Sequence, residues 1–201
     1  VDTEVMLGTL LKKDWVVSQN PKDSDAIIVN TCGFIQSAKE ESIETILDCA
    51  QYKEAKPDLK LVVAGCLTQR YKSQLAKGLS EVDLFIGTDE FPRIGELLDQ
   101  DLPQGEVVAK RANFLLNHHN PRVNTLTKGA AYVKVAEGCQ HNCSFCIIPA
   151  IRGPLRSRSV SSIVHEVKTL VATGVVEINL IAQDLAAYGR DVPEKQNLLD
   201  L

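Results

Sequence analysis

The sequence predicts an α/β protein made of two successive parallel-sheet segments: an open, Rossmann-like sheet, then a βαβ segment that begins a second parallel sheet or a (β/α) barrel. Three observations carry this. Short apolar, β-rich runs alternate with helical patterns through residues 1–100; the alternation fades across 101–128; it then resumes over 129–201 as strand, long loop, helix and strand. Short apolar runs bounded by turn residues fit strands covered on both faces, and alternation with helices marks parallel strands joined by crossovers. A chain of 201 residues has room for one large domain or two modest ones, each with a core.

In the first segment the strand runs are Ala26–Asn30 (AIIVN), Leu61–Gly65 (LVVAG) and Val82–Gly87 (VDLFIG), with Trp15–Val17 as a short edge strand. Between the first two, Ser37-Ala38-Lys39-Glu40 reads as a capping box that opens a helix. Ile43, Ile46, Leu47 and Ala50 then recur at helical spacing. Phe91-Pro92 begins another helix, with proline in the first turn where no amide donor is lost. Residues 101–128 carry Pro103, Gly105 and Pro121 with little periodicity, the composition of a linker.

The second segment opens with a strand at Ala131–Ala136 (AYVKVA), followed by a loop from Glu137 to Arg158. Ser161–Ala172 is a helix with Ile163, Val164, Val167, Leu170 and Val171 on its apolar side, ended by Gly174. Glu177–Ala182 (EINLIA) is the next strand, which completes a βαβ unit and implies parallel pairing.

Composition narrows the function classes. The chain is 44% hydrophobic and 24% charged, ordinary for a soluble globular protein. No apolar stretch approaches the roughly 18 residues of a membrane span, and no signal-peptide pattern opens the chain. A net charge of −4 argues against broad, phosphate-driven nucleic-acid binding by this portion. Six cysteines without a secretion signal point to a reducing cytoplasm, where clustered cysteines bind metal more often than they pair. The absent initiator Met and the abrupt end read as a piece of a longer protein.

The chemistry concentrates in Glu137-Gly138-Cys139-Gln140-His141-Asn142-Cys143-Ser144-Phe145-Cys146, which places three thiols within eight residues. Three thiolates ligate three irons of a 4Fe–4S cube and leave the fourth open to a substrate or cofactor. Phe145 is expected to form an apolar wall at the cluster. The competing reading is a zinc knuckle completed by His141. Zinc sites commonly pair two separated clips, however, and no second clip follows here.

Cys139-x3-Cys143-x-Phe145-Cys146 directly after a strand resembles the signature of the radical S-adenosylmethionine (SAM) superfamily. Ile148-Pro149, Arg152-Gly153 and Arg156-Ser157-Arg158 make the wider context similar to the methylthiotransferases. Asn30-Thr31-Cys32-Gly33-Phe34 and Ala64-Gly65-Cys66-Leu67 resemble that family's N-terminal domain. Cys32–Ile35 with Ala38–Ser42, and Ala182-Gln183-Asp184-Leu185-Ala186-Ala187-Tyr188-Gly189, are similar to the branch that modifies a ribosomal protein rather than tRNA. The resemblance implies a methylthiotransferase domain at 1–100 without its first strand, a linker at 101–128, and the N-terminal part of a radical SAM barrel at 129–201.

The resemblance also implies two 4Fe–4S clusters. Cys139, Cys143 and Cys146 would hold the one that chelates SAM. Cys32 and Cys66 would hold a second, with a third ligand preceding Val1. It further implies reductive cleavage of SAM to a 5′-deoxyadenosyl radical and methylthiolation of the β-carbon of an aspartate in ribosomal protein S twelve. A flavodoxin-like or ferredoxin-like electron donor and a sulfur source would serve as partners, with no membrane role. A tRNA methylthiotransferase and a non-catalytic iron–sulfur or zinc-binding module are the alternatives.

From the residues alone, Cys32 and Cys66 each follow an apolar strand at its carboxyl end, where open α/β sheets bind ligands. Two buried structural thiols is the other reading. Cys49 lies within a helix near its apolar stripe and reads as core. Gln183 and Asp184 end the second strand, where functional groups gather; the resemblance implies that they contact SAM, with Asp184 suited to its amino group, and a helix cap is the equally weighted reading of Asp184. Arg152, Arg156 and Arg158 read as anion contacts or a solvated basic loop. His118 and His119 lie in the linker and read as surface residues; His165 lies on the helix and shows no partner.

Overall fold

The computed structural model describes residues 1–100, 105–126, 129–193 and 196–201. The chain folds as two compact units, one of Thr9–Ala112 and one of Val1–Gly8 with Asn113–Leu201. Helix α1 (Asp2–Leu11) supplies the first residues of both.

In the unit of Thr9–Ala112, β1 (Ala26–Thr31), β2 (Lys60–Gly65), β3 (Leu84–Ile86) and β4 (Gly105–Val107) form a fully parallel sheet in that order. Strand β2 is central, and Leu61 to Ala64 are wholly buried, which explains its unbroken apolar run. Helix α2 (Gln36–Ala50) follows β1, with α3 (Tyr52–Ala55) after it; α4 (Cys66–Tyr71) and α5 (Ser73–Gly78) follow β2, and α6 (Ile94–Leu98) follows β3. Ile46 and Ala50 of α2 pack with Val29, Leu61, Val63, Leu67 and Phe85 in one core.

Four expectations for this unit are corrected. Trp15–Val17 is irregular chain with Val16 and Val17 exposed, not an edge strand; three residues are too short a run to separate strand from loop. Helix α2 begins at Gln36 after Ile35 and has no side-chain cap, so Ser37 is not its N-cap. The register of α2 is set by Ile46 and Ala50 facing the core, while Ile43 and Leu47 stay substantially exposed. Strand β4 falls inside the stretch expected to be linker; residues 101–104 and 127–128 of that stretch lie outside the described residues.

In the other unit, β5 (Ala130–Lys134) is followed by the two-residue β6 (Ala136–Glu137), α7 (Ile148–Arg152), β7 (Arg156–Ser157), α8 (Val160–Ala172) and β8 (Glu177–Ile181). Strands β5 and β8 pair in parallel, from Ala130 with Glu177 to Lys134 with Ile181, as a βαβ unit requires. Helix α8 starts at a Ser159 cap that accepts from the Ser162 amide at 3.3 Å. It buries Ile163 and Leu170 against Val133, Val135 and Tyr188. Past the end of α8, Gly174 takes φ +96°, a left-handed position that suits glycine. Val171 is 54% exposed, so the apolar stripe is narrower than expected. Among the described residues, no helix is long and apolar enough to cross a membrane.

Candidate iron–sulfur and cofactor site

Strands β6 and β7 pair antiparallel, Ala136 with Ser157 and Glu137 with Arg156, and so tie together the two ends of the cysteine loop. Just inside this base, the Cys139 amide donates to the Gly153 carbonyl at 3.2 Å. Gly138 and Gly153 hold φ +79° and +77°, letting the chain turn sharply where it leaves and rejoins the strands. A short turn is closed by the Cys146 amide donating to the Cys143 carbonyl at 3.1 Å. Cys139 is buried, Cys146 half-buried and Cys143 exposed, and none of the three is in a disulfide. Three thiols on a loop anchored at both ends fit an all-sulfur iron site. Phe145 departs from expectation: it is 87% exposed and walls nothing off.

A side chain on Gly138 would drive its Cβ into the carbonyls of Gly153 and Pro154, and its positive φ adds strain for any other residue. Gly138→Ala is therefore expected to destabilise this unit by about 1–3 kcal/mol and to reduce cluster loading. A chemical-denaturation midpoint and iron analysis check both.

Beneath the loop lies a group of buried charges. Lys134 Nζ donates to Asp2 Oδ1 at 2.5 Å and to Glu137 Oε2 at 2.8 Å. Arg152 Nη2 donates to Asp2 Oδ2 at 2.9 Å, and its Nη1 lies 3.5 Å from Glu137 Oε1. Burial alone would raise the Asp2 pKa, but Lys134 and Arg152 outweigh it and hold the carboxyl well below the usual range. Burial likewise favours neutral Lys134, yet Asp2 and Glu137 raise its pKa above the ordinary value.

Gln183, just beyond β8, grips the same segment through both ends of its amide. Its Oε1 accepts from the Gly138 amide at 2.9 Å, and its Nε2 donates to Glu137 Oε1 at 2.6 Å. Asp184 caps the short turn Leu185–Ala187, with Oδ1 accepting from the Ala187 amide at 3.2 Å. Its Oδ2 lies 2.7 Å from His141 Nε2. The strand end is thus joined to the cysteine loop at two points, and His141 faces Asp184.

The arginines form neither a solvated loop nor a row of free anion contacts. Arg158 is 2% exposed and donates to the Lys134 carbonyl at 2.7 Å. Arg156 donates to the carbonyls of Pro154, Phe114 and Arg152. His118 and His165 stack with centroids 4.6 Å apart, and His118 contacts Ser162, so these histidines do have partners. Contacts between residues 44 or more apart in sequence leave no periodic signal, which is why the sequence does not announce Asp2, the partners of Gln183 or those of the histidines.

In the sheet unit, Cys32 directly follows β1 and Cys66 opens α4 directly after β2, whose ends are paired at Thr31 and Gly65. A Cβ on Gly33 would lie 2.7 Å from the Cys66 carbonyl oxygen, so the two turns are packed side by side. The Cys32 amide donates to Ser42 Oγ at 3.3 Å, and Arg70 Nη1 donates to the Gly33 carbonyl at 2.8 Å. Cys49 is half-buried against the α2 core, and burial with nearby Asp48 pushes its thiol pKa up.

Three thiols on a tied loop that leaves the end of a parallel-paired strand run are the arrangement that a radical SAM cluster would need. Residues 133–199 match the radical SAM superfamily, and residues 1–87 match the uncharacterized protein family UPF0004. Proteins called ribosomal protein uS12 methylthiotransferase RimO are 48% identical over 200 residues in Citrifermentans bemidjiense, 50% over 194 in Syntrophotalea carbinolica and 45% over 201 in Myxococcus xanthus. These alignments take in 98%, 95% and 100% of this chain and 45%, 42% and 42% of the respective relatives. The chain thus spans less than half the length of those proteins. A solved radical SAM methyltransferase, TsrM from Kitasatospora setae, shares the fold with a TM-score of 0.59 at 14% identity, over 92% of this chain and 45% of its own. Over nearly its whole length, then, the chain is similar to proteins named as methylthiotransferases, and its second half matches the radical SAM superfamily.

Proposed function

We propose that this chain carries the SAM-cleaving site of an aspartate methylthiotransferase that acts on ribosomal protein S twelve. The observation that carries the reading is the tied loop of Cys139, Cys143 and Cys146, joined through Gln183 and His141 to the end of β8. The names of relatives 45–50% identical support the substrate. Cys139, Cys143 and Cys146 would hold the 4Fe–4S cluster, which when bound supplies the electron that cleaves SAM. Asp184, at the strand end beside the loop, is a carboxylate suited to the SAM amino group. Gln183 acts by holding Gly138 and Glu137, which fixes where the loop departs from the strand. Cys32 and Cys66, on adjacent turns, would contribute two ligands of the second cluster in the sheet unit. An electron-donor protein and a sulfur source complete the reaction, and the setting is cytoplasmic.

The test uses the intact protein from which this chain comes, reconstituted anaerobically with SAM and a reductant. It is offered ribosomal protein S twelve and, separately, tRNA. Mass spectrometry should find one methylthio group in place of hydrogen on an aspartate of the ribosomal protein. Modification of tRNA alone would assign the other branch. SAM left uncleaved by cluster-loaded protein would reduce the chain to a non-catalytic iron–sulfur module.

A further inference from the structure

We infer that Cys139, His141 and Asp184 form a second metal site, used when the cluster is absent, that takes one borderline divalent ion such as Zn2+ or Fe2+. One donor atom from each lies within 4.8 Å of the other two. Asp184 Oδ2 is shielded from solvent and accepts no directed hydrogen bond, although His141 Nε2 is only 2.7 Å away. A metal ion between the two atoms would take the place of the proton that otherwise joins imidazole and carboxylate at this distance. The positions are braced independently: Cys139 by its amide bond to Gly153, Asp184 by its cap on Ala187. His141 sits on the exposed part of the loop and is free to adjust.

The donor set of one sulfur, one imidazole nitrogen and one carboxylate oxygen suits zinc or ferrous iron. Metal–ligand bonds of about 2.0–2.3 Å require the nitrogen and oxygen to part slightly and the sulfur to draw in, with water as a fourth ligand. Cys139 loses its proton to solvent on binding, and the ion neutralises the buried thiolate. This site shares Cys139 with the proposed cluster triad, so the two occupants exclude each other. Zinc withholds one of the three thiols, and because zinc binds such donors more tightly than ferrous iron does, it acts as a block on cluster assembly.

The inference does not rest on the proposed substrate or reaction, and its test separates it from the cluster assignment. Cluster-free chain is loaded with one equivalent of Zn2+, and X-ray absorption counts the ligands. One sulfur with two or three nitrogen or oxygen neighbours is expected; three sulfurs would place the ion on Cys139, Cys143 and Cys146 and overturn the proposal. In a second measurement, Co2+ is titrated into a Cys32→Ala, Cys66→Ala, Cys143→Ala, Cys146→Ala variant whose fold is checked by circular dichroism. A sulfur-to-cobalt charge-transfer band should persist there. Adding His141→Ala should weaken Co2+ binding by roughly tenfold or more; unchanged affinity would sink the idea. With native cysteines, His141→Ala should also let iron–sulfur reconstitution proceed in zinc concentrations that stall the parent chain.

Discussion

Cys143→Ala is expected to remove essentially all iron and sulfide from the cysteine-loop site after anaerobic reconstitution, with loss of the cluster's visible absorption and of its electron paramagnetic signal on reduction. The reasoning is geometric. The loop is short and tied at its base, so no other thiol of that unit can replace Cys143: its cysteines are Cys139, Cys143 and Cys146. Cys143 is exposed, and no buried contact is lost with its sulfur, so the variant should keep its fold. Cys49→Ala is the matched control. Its thiol is half-buried in the α2 core, so the change should cost about 1 kcal/mol of stability and leave the loop cluster intact. Cys32→Ala with Cys66→Ala should also spare that cluster. A Cys143→Ala protein that kept full iron and sulfide at the loop would overturn the ligand assignment.

How much of this was legible in the sequence depends on the range of the interactions. Strands β1, β2, β5 and β8 are visible because each is a run of apolar residues long enough to be buried on one or both faces. The adjacency of Cys32 and Cys66 follows from two such runs pairing in parallel, which places the residues after them side by side. Helix α8 is visible through Ile163, Val167 and Leu170. Strands β6 and β7 are two residues each and carry no pattern, yet they close the cysteine loop. Arg152, Arg156 and Arg158 read as a basic loop because their partners come from Asp2, Phe114, Lys134 and Glu137. Sequence reveals that a charge is present; only the fold reveals what neutralises it.

The same buried group gives the second large effect. Asp2, Lys134, Glu137 and Arg152 balance two negative against two positive charges beneath the loop. Lys134→Met removes one cation and leaves Arg152 alone between two carboxylates. Breaking a buried pair by deleting one partner costs about 3–5 kcal/mol, chiefly through the charge left behind. Denaturation of Lys134→Met should show a loss of that order. Adding Asp2→Asn restores balance between Glu137 and Arg152, so the double variant should recover part of the loss rather than add to it. The pH dependence supplies an independent readout. Because Asp2 is held below its ordinary value near 3.8, its contribution is full above that pH and fades as pH falls through the folded value. Because Lys134 is raised above its ordinary 10.5, its contribution is full below that pH and is lost as pH rises past the folded value. In Lys134→Met the main cation facing Asp2 is gone, so acid unfolding should begin at a higher pH than in the parent chain. Additive destabilisation in the double variant together with an unmoved acid limb would mean that these four side chains are neighbours without being coupled.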